Sequence, residues 1–533
     1  MDDLASQLDA LDEDQSAAAR QLRGPVAIIA GPGSGKTAVV SHRIAHGIAL
    51  GVYEPSKVLA LTYTNRAAAE LRMRLRSLGA PGVQVRTFHA AALSQLQFFW
   101  PQLSSAPAPR LTTQKYQLLQ EAAESIALKL TKNAIFEILA KIEWHRYSLI
   151  EPTLESALDL ERVIAPQPFL DVFASYEAIK QQKKLVDWED VLLLCIGMLR
   201  SEPRMLEHFH QQYRFFTVDE YQDISPLQQA LLQTWLGERQ DICVVGDPRQ
   251  TIYSFAGASS KFLLNFDDHY ANAQVFELDR NYRSAIEIVD YANKIMRSDL
   301  EPVRQYSSAP KFTAYKNQAA EAQGVASRIS ELISAGLEPQ EIAVLSRANF
   351  QLEQLESELA KLSIPTQLRG SGKFFQRPEV AQAMVAIRAL AVSATERPLF
   401  ADVSDILSSL GWRTSGSGEK WENLNWFIEV MEELGPDVTP AEYSRELAER
   451  ERSGHEPTKR AVSLATIHAT KGLQWRAVFV IGLNQGLFPS SYSQSPEQLA
   501  EERRLYFVAV TRAQDNLEIS YHEDKPVSEL LTL

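Results

Sequence analysis

The chain has 533 residues, 45% apolar, 23% charged and 9% aromatic, with 24 glycines and 25 prolines. At roughly 100–200 residues per domain that length holds about three to five domains, and the near-average composition excludes a collagen, a coiled-coil rod and a largely disordered chain. Lys and Arg number 54 against 67 Asp and Glu, a net −13, which speaks against a protein that coats duplex nucleic acid by charge alone but leaves room for a local basic groove.

The N-terminus, Met1-Asp-Asp-Leu-Ala, lacks the basic-then-apolar order of a secretory leader, and no apolar run reaches the ~20 residues of a membrane helix. Cys195 and Cys243 are the two cysteines, too few for a disulfide framework or a four-cysteine zinc site. The expectation is a soluble, cytoplasmic chain with no membrane partner.

In chain order, Val26-Ala-Ile-Ile-Ala, Val58-Leu-Ala-Leu-Thr, Phe215-Phe-Thr-Val-Asp, Ile242-Cys-Val-Val-Gly and Val275-Phe-Glu-Leu read as buried strands, separated by helical patterns. A second set follows at Phe312-Thr-Ala-Tyr, Ile342-Ala-Val-Leu-Ser, Val462-Ser-Leu-Ala-Thr, Val478-Phe-Val-Ile-Gly and Leu517-Glu-Ile-Ser-Tyr. Continuous apolar strands alternating with helices predict parallel sheets covered on both faces. The fold class is therefore α/β, with two such domains in tandem. Each strand set is interrupted by a helical stretch, roughly 93–190 and 371–456, read as an insertion. The second carries a linker-like patch, Thr414-Ser-Gly-Ser-Gly-Glu, and a charged run from Arg445 to Arg452. The first domain is assigned 1–92 and 191–278, and the second 279–370 and 457–533.

Ala30-Gly31-Pro32-Gly33-Ser34-Gly35-Lys36-Thr37 follows the first strand and opens a helix, a P-loop pattern with Ala30 in place of its first glycine. Glycines let backbone amides turn onto a phosphate, and the helix N-terminus adds positive potential. Lys36 would reach the β- and γ-phosphates of ATP, and Thr37 would offer its hydroxyl to Mg²⁺. Asp219 and Glu220 end a strand, where open α/β sheets bind ligands. Asp219 would hold the metal shell, and Glu220 would orient the attacking water or accept its proton.

Asp219-Glu-Tyr-Gln-Asp223 resembles the acidic box of superfamily 1 helicases of the UvrD/Rep type. Other boxes of that family follow in order: Leu11-Asp-Glu-Asp-Gln15, Thr62-Tyr-Thr-Asn-Arg-Ala-Ala68, Thr87-Phe-His89 and Asp187-Trp-Glu-Asp190, then Gly246-Asp-Pro-Arg-Gln250-Thr-Ile-Tyr253-Ser-Phe255. Asn281-Tyr282-Arg283-Ser284, Thr466-Ile-His468-Ala-Thr-Lys-Gly472-Leu, and Glu501-Glu-Arg-Arg-Leu505 through Val510-Thr-Arg512-Ala complete the set. Details look closest to the actinobacterial second UvrD-like helicases. The resemblance spans about residues 11–522 and implies two RecA-like motor domains, each with one helical insertion.

The same resemblance implies roles. Gln15 reads adenine and Tyr282 stacks on it, with Arg43, Gly472 and Gln474 completing the nucleotide site. Gln250 contacts the γ-phosphate, and Arg283 and Arg512 reach it from the second domain. Tyr63, Trp188, Tyr253 and Phe255 stack on bases. Thr62, Asn65, Arg66, Phe88, His89, Arg347, Asn349 and His468 line the same track or bind phosphates. Ala256 and Phe255 replace the Arg and Trp common in the linking box, and Gln474 replaces a Glu. The implied activity is an ATP- and Mg²⁺-dependent DNA helicase moving 3′ to 5′, acting on single-stranded and 3′-tailed duplex DNA in repair or replication maintenance. Two alternatives stand beside it: a translocase that displaces proteins and unwinds poorly alone, and an inactive accessory subunit.

Overall fold

The computed structural model describes Leu8 and residues 10–369, 374–391, 397–416, 418–435, 438–452 and 460–532. The chain divides into two compact units, residues 1–63 with 67–281, and residues 64–66 with 282–533.

The first unit holds six parallel strands: Val26–Ala30 (β1), Val58–Thr62 (β2), Gln84–Thr87 (β3), Phe215–Val218 (β4), Ile242–Gly246 (β5) and Gln274–Leu278 (β6). Their order across the sheet is β3-β2-β4-β5-β1-β6. Successive side chains enter opposite cores, as the period of two requires. Ala27, Leu59, Leu61 and Phe216 join Phe88, Leu96, Val191 and Trp235 on one face. Val26, Ile28, Ala60 and Val245 join Ala18, Val39 and Ile44 on the other. Each large apolar side chain so buried contributes about 1.5–3 kcal/mol, and only a sheet with helices on both faces buries them all. Because β4, β5 and β1 are adjacent and parallel, the loops after Val218, Gly246 and Ala30 emerge side by side. That adjacency builds the site.

The second unit repeats the plan with Lys311–Tyr315 (β7), Ile342–Ser346 (β8), Thr366–Leu368 (β9), Val462–Thr466 (β10), Trp475–Val480 (β11) and Ala513–His522 (β12), all parallel in the order β7-β12-β11-β8-β10-β9. Ile342, Val344, Leu464 and Phe479 pack there against Val325, Ile329 and Leu355.

Between these elements lie helices with cores of their own. Leu119, Ile138, Phe169 and Tyr176 centre one in the first unit. Val380, Ile387, Leu407 and Phe427 centre the other. The expected boundaries at 92/93 and 190/191 fall inside the helices Phe88–Leu103 and Trp188–Ser201, both of which pack onto the sheet core. Those at 370/371 and 456/457 lie outside the described residues, as does Ser417 of the linker-like patch.

Three expectations are corrected. Val275–Leu278 and Phe312–Tyr315 are edge strands rather than buried ones, with Val275 and Phe312 exposed. The edge strands Gln84–Thr87 and Thr366–Leu368 gave no apolar run, since a short edge strand buries one face at most. The first insertion is not wholly helical, because Arg110–Leu111 pairs in parallel with Leu185–Val186.

Candidate functional site

β1 ends at Ala30, and the chain turns through Gly33 and Gly35, both left-handed at φ +73° and +81°. The helix Lys36–Ala49 then starts with Gly35 as its cap, so no side chain covers its first amides, and they are available to an anion. Lys36 Nζ lies over the loop, donating to Ala30 O at 3.1 Å and Gly31 O at 3.3 Å. Ser34 Oγ donates to Gly31 O at 2.7 Å, and Asn281 Nδ2 braces Pro32 O at 2.7 Å. Thr37 follows, half-buried, in the first helical turn.

Gln15 is brought onto this loop. Its Nε2 donates to Ser34 O at 2.9 Å, while its Oε1 accepts from Asp12 N at 3.2 Å in a capping box. A β-carbon on Gly35 would come within 2.8 Å of Gln15 Nε2, a second reason for glycine there. Arg43 is placed differently from an open nucleotide contact. It is buried, its Nε donates to Gln21 O at 2.9 Å, and its guanidinium lies 5.8 Å from the Tyr53 ring.

β4 delivers Asp219 to the same edge, its N–H donating to Leu61 O at 2.8 Å. Burial, reinforced by the neighbouring Glu220 and opposed by Lys36, raises the Asp219 carboxyl to about 7. Glu220 is itself left-handed at φ 54°, ψ 42°, a region non-glycine residues rarely adopt. Its Oε2 accepts from Gln222 Nε2 at 2.5 Å, and Gln222 Oε1 accepts from Asp247 N at 3.0 Å. Asp247 Oδ2 in turn accepts from Gln250 Nε2 at 2.8 Å, and its Oδ1 from Arg249 Nε at 2.8 Å. The turns after β4 and β5 are thus one hydrogen-bonded network.

A row of rings continues in the first unit. Tyr63 and Tyr253 stack at 5.1 Å and 19°, and Phe255 meets Tyr253 edge-on at 6.1 Å while remaining 59% exposed. Trp188 meets His89 edge-on at 5.5 Å, and His89 Nε2 bonds Tyr147 Oη at 3.0 Å. Burial, with Lys115 nearby, lowers His89 to about 4, so it is neutral near pH 7. Phe88 is a correction: it is 2% exposed and stacked on Trp235 in the core, because the first turn of its helix faces the sheet. Thr62 is buried at the end of β2, and Asn65 and Arg66 fall in the segment grouped with the second unit.

In that unit, Arg283 donates through Nε to Gln474 Oε1 at 2.6 Å and through Nη1 to Thr511 O at 2.9 Å. Arg512 is buried, bonding Val508 O at 2.9 Å and Leu473 O at 3.1 Å. Arg283, Gln474 and Arg512 therefore meet around Thr511, next to the left-handed Gly472 and in the same unit as the exposed Tyr282. Arg347 is held by both oxygens of the buried Glu502, at 2.9–3.1 Å, and Ser493 Oγ donates to the same carboxylate at 2.9 Å. Asn349 is exposed at the start of the helix Phe350–Lys361. Burial, then Arg347, lowers His468 to about 4.

Four partners escaped the sequence reading. Gln222, Asp247 and Glu502 lie inside quoted boxes, where a buried polar residue between assigned ones was the available signal. Tyr147 sits in an insertion helix and carried none.

A glycine-turned loop after β1 and an acidic pair at the end of β4, on one parallel sheet with a second such sheet in the chain, define a P-loop nucleotide-binding protein. The UvrD/REP helicase N-terminal domain matches residues 11–271, and the UvrD-like helicase C-terminal domain matches residues 276–397 and 390–524. The chain belongs to the UvrD/Rep family of ATP-dependent DNA helicases. It is 37% identical to the ATP-dependent DNA helicase UvrD2 of Mycobacterium tuberculosis over 96% of this chain and 78% of that protein. It is 27% identical to the ATP-dependent DNA helicase PcrA of Bacillus subtilis, over 96% and 82%. With the DNA helicase II of Escherichia coli the identity is also 27%, over 98% and 86%. That last alignment spans 634 positions against the 533 residues here, so the relative carries segments this chain lacks. Among the described residues, no helix is long and apolar enough to cross a membrane.

Proposed function

We propose that the chain hydrolyses ATP at the Lys36 loop and uses the cycle to move 3′ to 5′ along single-stranded DNA, opening 3′-tailed duplexes in DNA repair or replication maintenance. The observation that carries this reading is the network joining Glu220, Gln222, Asp247 and Gln250 beside the loop. In this reading Glu220 would orient the attacking water, and Gln250 is the polar group that a γ-phosphate would engage.

The residues present fit the groups required. The amides after Gly35 and the Lys36 ammonium suit a polyphosphate, which would displace the carbonyls that now accept from Nζ. Asp219 and Thr37 would hold Mg²⁺, which neutralises charge on the phosphates and typically binds through one or two carboxylates plus phosphate oxygens. Asp219, a buried carboxyl raised by its surroundings, is a group that a cation relieves. Water attacks the γ-phosphorus, the bond to the bridging oxygen breaks, ADP leaves, and Glu220 takes the proton. Arg283 and Arg512 would stabilise the negative charge that develops on the γ-oxygens. In this reading the sheet-bearing parts are the motor, and the helical stretches 93–190 and 371–456 are its accessories.

For DNA, Tyr63, Tyr253, Phe255 and Trp188 offer ring faces to bases. Stacking is worth about 1–3 kcal/mol per base and is indifferent to sequence, as translocation requires. The test is single-stranded-DNA-stimulated ATP hydrolysis measured beside strand displacement on 3′- and 5′-tailed duplexes. Equal displacement from both tails overturns the direction, and absence of DNA stimulation overturns the motor.

A further inference from the structure

We propose that Gln222 is a positioning residue for hydrolysis, its side-chain amide holding the Glu220 carboxylate at one end and the Asp247 backbone at the other. The inference rests on the roles proposed above for Glu220 and Gln250.

Gln222 is 0% exposed, so neither end of its amide has water as an alternative partner. Both ends are used: Nε2 donates to Glu220 Oε2 at 2.5 Å, and Oε1 accepts from Asp247 N at 3.0 Å. A hydrogen bond to an ionised carboxylate is short and strong, and this one fixes one oxygen of the Glu220 carboxylate. It also fixes a residue whose backbone is in the left-handed region, where a free chain seldom keeps a glutamate. The surroundings preserve the arrangement. Gly246 has no side chain, and a β-carbon there would collide with Gln222 Oε1 and press on Leu263.

An apolar side chain of similar length would fill the same space, so packing alone does not account for an amide with both ends engaged. The chain of contacts continues to the nucleotide side. Asp247 takes Gln250 Nε2 on one oxygen and Arg249 on the other. When Gln250 turns toward a γ-phosphate, the Asp247 turn is released from it, and Gln222 transmits that change to Glu220. The charged groups around the pair are Asp219, Lys36 and Asp223, with Asp247 and Arg249 on the neighbouring turn.

The test is single-turnover ATP hydrolysis by the whole chain with saturating single-stranded DNA, measured beside equilibrium nucleotide affinity, so that product release does not mask the chemical step. Gln222→Glu keeps an acceptor for Asp247 N–H but replaces the donor facing Glu220 with an oxygen. The rate should fall about 10- to 100-fold with nucleotide affinity within about threefold of wild type. Gln222→Met, which fills the space without either hydrogen bond, should show the same rate loss and keeps the test valid if the first variant does not fold. Gly246→Ala should reproduce the rate loss by pushing Gln222 aside. A folded Gln222→Glu or Gln222→Met with a wild-type single-turnover rate overturns the proposal, as does a loss confined to melting temperature and nucleotide affinity. Glu220→Gln separates the two levels. If it turns over normally, the role of Glu220 fails; if it is inactive while the Gln222 variants are normal, only this inference fails.

Discussion

Asp219→Asn should make the nucleotide-free protein more stable while abolishing its ATPase, and the gain should grow with pH. In the folded chain, burial and the adjacent Glu220 keep the carboxyl protonated up to about pH 7, against an ordinary value of 3.8. Between those values the folded state holds a proton that the unfolded state has released, so stability falls as pH rises. Below the lower value both states are protonated and nothing is lost. Above the upper one the full penalty applies. One proton over one pH unit is about 1.4 kcal/mol, so from pH 5.5 to 8.5 the penalty grows over the 1.5 units below pH 7, by about 2 kcal/mol. Glu220 shares the titration, which makes that an upper figure. Asparagine carries no such penalty. For a unit of this size about 2 kcal/mol is about 4–8 °C, read as the difference in melting temperature between variant and wild type at the two pH values. Mg²⁺ with ADP should stabilise wild type at pH 8.5 and the variant far less. A gain that is the same at both pH values, or a loss at pH 8.5, refutes the argument that a buried carboxylate is held there at a cost until a cation arrives.

Glu220→Gln should keep ATP and DNA affinity while losing about 10²–10⁴ in turnover, the usual contribution of a general base; equilibrium nucleotide binding beside steady-state hydrolysis checks it, and wild-type turnover removes Glu220 from the mechanism. Tyr63→Ala or Phe255→Ala should weaken single-stranded DNA binding by about 1–3 kcal/mol with basal ATPase retained. The slope of affinity against salt should barely change, since no phosphate contact is lost; a large fall in slope, measured by anisotropy titration, contradicts the stacking assignment. The isolated chain should translocate robustly yet unwind modestly, given the segments its relatives carry and it lacks. Single-turnover unwinding of a 3′-tailed duplex, timed against translocation, decides this: one monomer clearing a long duplex at its translocation rate shows those segments to be dispensable.

Much of the fold was legible because the central strands are short and apolar on both faces, a pattern that water leaves no other way to satisfy. Val26–Ala30, Ile242–Gly246 and Ile342–Ser346 are of this kind. The edges were not, since Gln84–Thr87 is held by a neighbour's backbone rather than by its own apolar content. The phosphate loop was legible because its glycines are needed for backbone reasons that few other turns share. Phe88 was misjudged because an aromatic beside a histidine assigned to DNA carries no mark of which side of its helix it occupies. Gln222 went unassigned for a related reason: its importance lies in what its two amide ends touch, and Asp247 is 25 residues away.

The acidic composition and a DNA track are reconciled by how the candidate contacts are held. Arg347, assigned to DNA together with Arg66, is already balanced by the buried Glu502, so a phosphate must share or displace that carboxylate rather than meet an open positive charge. His89 and His468 are neutral near pH 7 for reasons of burial and add no charge of their own. In the proposed function, what would face bases instead is a set of rings: the Tyr63–Tyr253 stack, the exposed Phe255 and Trp188 against His89. A grip made mainly of stacking is weaker in salt dependence than one made of lysines and arginines, and it lets go of one base as readily as the next. For a motor that must release DNA once per ATP, a strongly basic surface would be a brake, and a net charge of −13 is compatible with the activity rather than an obstacle to it.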